Sequence, residues 1–138
     1  FVALGASAGQ AILLAQVAVA AVLLPAVIRV AASRIPGIWG HFYGLYVLAL
    51  VLAVIHGDAA RVVSISMHYN RWAWAVTALV LFTALLPSMD RESTWADAVV
   101  IGVGMAVLGL SKATFAVAFI PGVLVALLVF DKKLRGSS

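Results

Sequence analysis

At 138 residues, with 65% hydrophobic and 10% charged side chains, the chain lies far from an ordinary soluble domain, which is roughly 45–50% apolar and about 25% charged. So few charges cannot cover a surface in water, and lipid is the expected solvent for most of the chain. The net charge of +4 is spread as short flanks beside apolar runs, which argues against a nucleic-acid-binding patch, and the absence of cysteine excludes disulfides, thiolate metal ligands and thiol catalysis.

A spanning helix needs about 20 mostly apolar residues, and four or five segments qualify. The first covers residues 11–32, contains Pro25 and meets Arg29 and Arg34 at its end. SRIPG (residues 33–37) is a short turn. The second covers residues 37–56 and opens on Gly40-His41-Phe42-Tyr43-Gly44, whose glycines four apart admit a second helix at close range. A polar interval follows, GDAARVVSISMHYNR (residues 57–71), expected to face water. The third segment covers residues 72–86, with Asn70 as N-cap, Trp72 and Trp74 at a membrane interface, and Pro87 as the stop.

After the polar turn SMDREST, the apolar run of residues 95–130 is too long for one crossing and must break. Leu110-Ser111-Lys112 is the expected break, giving a fourth segment at residues 96–110 and a fifth at 113–130 that contains Pro121. A broken or re-entrant pair is the competing description. Gly102, Gly104, Ala106 and Gly109 suit the fourth segment to close packing, and Asp97 is expected to be a solvated cap at its start. The expected fold is therefore an all-α membrane bundle of four to five transmembrane helices, two of them kinked by proline. The chain opens on Phe1 without a basic leader and closes on Lys132, Lys133 and Arg135, where a cytoplasmic loop would begin. A single domain over residues 1–138, part of a larger membrane protein, is expected.

If all five segments span, six of the nine basic residues (Arg29, Arg34, Arg91, Lys132, Lys133, Arg135) fall on one side and three (Arg61, Arg71, Lys112) on the other. The richer side is expected to be cytoplasmic, which puts the N-terminus outside, the C-terminus inside and the polar interval outside. Arg61 can pair with Asp58; alternatively Arg61, Arg71 and Lys112 form a pocket for phosphate or pyrophosphate. His68, three residues before Arg71, is an interfacial hydrogen-bonding group or a base that takes a proton from a hydroxyl. His41 and His56 lie about 22 Å apart at helical rise and cannot ligate one haem iron. No His-x-x-x-His or Glu-x-x-His pair suggests a metal, and Lys112 lacks the seven-helix pocket of a retinal Schiff base. No cofactor is expected.

The string Met67-His68-Tyr69-Asn70-Arg71-Trp72-Ala73-Trp74-Ala75, followed by a helix pair joined near Ser111-Lys112-Ala113-Thr114-Phe115, resembles bacterial inner-membrane proteins of surface-polysaccharide assembly, the O-antigen polymerase and ligase-like group. The resemblance covers about residues 37–135. It implies metal-free glycosyl transfer from a polyprenyl-pyrophosphate donor at the periplasmic face. Arg61 and Arg71 would hold the pyrophosphate and His68 would assist the acceptor hydroxyl. Such proteins carry more spanning helices and a large periplasmic loop, so this chain would be one piece of such an enzyme. The alternative is a non-catalytic membrane subunit, packed against other helices or subunits through its Gly40/Gly44 and Gly102/Ala106 faces.

Overall fold

Among the described residues five helices follow one another: α1 (Ala8–Arg34), α2 (Ile38–Leu52), α3 (Ile65–Leu85), α4 (Thr94–Ser111) and α5 (Ala113–Arg135). The computed structural model describes residues 8–53, 65–89 and 94–135, and no strand occurs among them. The fold is all-α. Pro25 and Pro121 both sit inside helices that run on past them. By length and composition Gly9–Arg34 is able to cross a membrane, while Ile38–Leu52, Trp95–Ser111 and Ala113–Val129 are shorter apolar helices.

The turn between α1 and α2 depends on Gly37, whose φ of 59° lies in the left-handed region where a Cβ is strained. Met89, just after α3, donates its N–H to the Ser33 carbonyl at 2.7 Å, so the α1–α2 turn and the end of α3 are tied together. The expected break at Leu110-Ser111-Lys112 is present. Lys112 is the single non-helical residue between α4 and α5, and Phe115 N–H returns to its carbonyl at 2.9 Å.

One boundary differs from the sequence reading. α3 begins at Ile65, so His68 to Arg71 belong to the helix and Asn70 is not its N-cap. The hydrophobic step at Trp72 marks where the helix turns apolar, but backbone helix starts earlier because Ile65-Ser66-Met67 can form a turn without a breaker. In the other direction α2 stops at Leu52, short of His56, which lies outside the described residues together with Arg61, Asp58 and Arg91.

α3 is the centre of the bundle and packs on each of the other four helices. Its two sides feed two cores. Ala73, Val76, Val80 and Ala84 meet Leu108 of α4 and Ala116, Val123 and Ala126 of α5. Ala75 and Leu79 meet Val27 and Val30 of α1 with Tyr43, Val47 and Val51 of α2. The helices therefore alternate up and down, and the bundle has two ends. One gathers the C-terminal end of α1 with the start of α4. The other gathers the end of α2 with the start of α3 and the α4–α5 turn.

Candidate functional site

Polar side chains concentrate at these two ends. At the first, Asp97 in the opening turn of α4 takes two arginines from α1. Arg29 donates from Nε and Nη2 to Oδ1 at 3.3 and 3.2 Å, and Arg34 donates from Nη2 to Oδ2 at 2.5 Å. Arg34 also donates from Nη1 to the Leu86 carbonyl, satisfying the end of α3. Its side chain is only 5% exposed and that of Asp97 19%. Asp97 does lie where a helix N-terminus favours a carboxylate, but it is not the solvated cap expected. The reason is topological: antiparallel packing of α4 on α3 brings its start beside the end of α1.

At the second end the C-terminal turn of α2 is sealed by side chains from its neighbours. Arg71 donates from Nη1 to the Ala53 carbonyl at 2.7 Å and from Nη2 to the Ala49 carbonyl at 2.9 Å. Trp72 Nε1 reaches the Val51 carbonyl at 3.4 Å, and the buried Gln16 of α1 donates to Ala53 at 3.3 Å. A helix leaves its last carbonyls without internal partners and carries partial negative charge there, so a guanidinium fork is well matched to it. Gln16 carried no weight in the sequence reading. Its signal was available as a lone amide in the apolar run AILLAQVAVA, a setting where polar groups join helices together.

The sequence-derived candidates divide as follows. Arg71 and Lys112 are at the same end, although they lie far apart in sequence. Lys112 Nζ donates to Asn70 Oδ1 at 2.5 Å and stands 5.9 Å from the Tyr69 ring and 5.4 Å from that of Phe115. His68 is in the first turns of α3 and only 4% exposed. Arg61 lies outside the described residues. Gly40 and Gly44 face α1 of the same chain: a Cβ on Gly40 would stand 3.1 Å from the Ala31 and Ile35 carbonyl oxygens, and one on Gly44 would stand 3.6 Å from Val27. Gly102 and Ala106 point outward, with nothing within 4 Å of a Cβ on Gly102. Among the described residues no group of three or more metal-ligating side chains occurs.

Because both Arg71 amino nitrogens hold α2, Arg71→Ala is expected to loosen the last turn of that helix. A hydrogen bond to a charged group contributes about 1.5–3 kcal/mol, and partial exposure argues for the lower figure. The thermal unfolding midpoint in detergent should fall, and Arg71→Lys should recover only part, since an ammonium cannot fork across two carbonyls. An unchanged midpoint would show that the fork contributes nothing.

Between α1, α3 and α4 runs a cavity of about 520 Å³, lined by side chains from residues 18–26, 69–80 and 99–111. Its walls are aliphatic except toward the second end, where Tyr69, Trp72 and Ser111 line it. A second cavity, about 550 Å³, lies over α1 and the start of α2 and reaches Met89. No family model matches the chain, and no curated protein or solved structure matches it either.

Proposed function

We propose that the chain is a polytopic integral-membrane bundle, its five helices crossing a bilayer, that serves as a non-catalytic packing subunit of a larger membrane assembly. The observation that supports this reading is the distribution of exposed side chains. Large apolar residues face outward all along the helices, as with Val22 of α1, Leu45 of α2, Val103 of α4 and Val117 and Leu128 of α5, while the ionised groups described gather at the two ends. A soluble bundle reverses this pattern on its outer faces. α2, about 22 Å long at helical rise, is shorter than a hydrocarbon core of about 30 Å, and local thinning accommodates such a helix.

The bonding of Arg71 favours the packing role over glycosyl transfer. Two of the five Arg71 N–H donors already hold the Ala53 and Ala49 carbonyls and fix its position against α2, and His68 must leave its buried setting to reach an acceptor. The outward Gly102/Ala106 face of α4 supplies a surface where another helix can come close. The test is extraction of native membranes with alkaline carbonate followed by flotation, then affinity purification in mild detergent. The chain should stay with the membrane and bring partner polypeptides with it, and Gly102→Ile with Ala106→Ile should release them. Release by carbonate would overturn the membrane reading, and a monomer unaffected by those substitutions would overturn the packing role.

A further inference from the structure

We propose that the groove between α1, α3 and α4 holds one acyl chain of an anionic phospholipid, with Lys112 drawing the headgroup to its mouth. The inference rests on the membrane reading above and adds a ligand to it. On α1 and α4 the lining of the groove stops at Ala26 and Val99, short of the ion pairs of Asp97 with Arg29 and Arg34. At the other end Tyr69 and Ser111 give it a polar rim. Lys112 follows Ser111 directly and lies near the Tyr69 ring, so a positive charge stands where a headgroup would emerge. Of its three N–H donors, one goes to Asn70.

Length and charge point to the occupant. Along α4 the groove covers residues 99–111, about 18 Å at helical rise, close to the depth of one leaflet, about half of a 30 Å hydrocarbon core. A single acyl chain matches that length, and the lysine at the rim matches an anionic headgroup at its end. The valines on its walls supply dispersion contacts, and the lysine supplies the preference for a net negative headgroup over a zwitterionic one.

Trp72 lines the groove and provides the reporter. Trp39, Trp74 and Trp95 are replaced by Phe, and the protein is reconstituted into phosphatidylcholine vesicles containing an equal mole fraction of either dibrominated phosphatidylglycerol or dibrominated phosphatidylcholine. Flotation first establishes insertion. Trp72 quenching should then report a roughly fivefold preference for phosphatidylglycerol, the factor one lysine near a membrane surface supplies. Lys112→Gln should erase the preference while leaving quenching by phosphatidylcholine unchanged. Val103→Phe, on the open wall of the groove, should lower quenching by both lipids. Equal quenching in the parent protein, or no response to either substitution, would overturn the lipid site while the membrane reading stands. Failure to float with the vesicles would overturn both.

Discussion

Asp97→Asn is expected to be among the most destabilising single substitutions in the bundle. It removes the one carboxylate shared by two arginines, one of them with its side chain only 5% exposed. Removing one partner of a buried ion pair costs about 3–5 kcal/mol, because the remaining charge stays where it cannot be hydrated. Arg29 is more open, at 30%, and can turn toward solvent, so the lower end of that range applies. Asp97 also ties α1 to α4, two helices that otherwise meet mainly through α3. Its loss should free the start of α4 as well as strand Arg34. The measurement is thermal unfolding in detergent, with Asp97→Glu as the conservative variant. A double replacement, Arg34→Met with Asp97→Leu, should be less destabilised than the sum of its parts, since no ion is left unpaired. If Asp97→Asn unfolds with the parent protein, the pair does not hold α1 to α4.

The second large effect is expected at Gly104. A Cβ there would overlap Cγ2 of the buried Val80, where α4 packs on α3. Ala is the better helix former by about 0.5–1 kcal/mol, but overpacking a close-packed contact costs typically about 1–3 kcal/mol. Steric conflict therefore wins, and Gly104→Ala should lower the unfolding midpoint. Gly102→Ala, two positions away, meets nothing within 4 Å and should be neutral or stabilising. Val80→Ala should relieve Gly104→Ala specifically, giving a favourable coupling in a double-mutant cycle. The reverse order, with Gly102→Ala the more damaging, would contradict the packing of α4 on α3.

The all-α class and the break at Lys112 could be read directly, because apolar runs and their interruptions act along the sequence; the sequence reading allows four to five helices, and five are present among the described residues. The ends of α2 and α3 could not. A polarity change at Trp72 marks where the side chains become apolar, and backbone helix need not begin there. Lys112 and Arg71 were brought to one end by counting alternate sides, and the up-and-down packing puts them there. What sequence spacing could not give is the partner of each group. Arg71 meets backbone carbonyls, which any residue supplies and no motif records. Asp97 meets arginines 63 and 68 positions earlier, a pairing set by how α4 lies against α3. The glycines in the fourth segment likewise looked alike in sequence, yet Gly104 faces Val80 and Gly102 faces outward because their positions differ by two residues on a helix of 3.6 per turn.

The spacing of Arg34 and Asp97 also sets a schedule for synthesis. Arg34 is made 63 residues before Asp97, and at about 5–20 residues per second that partner arrives roughly 3 to 13 seconds later. During that interval Arg34 exists without the carboxylate it meets in the finished bundle. Nascent chains halted ahead of Asp97 thus differ from the finished bundle in one tie: Arg34 and α4 are not yet joined.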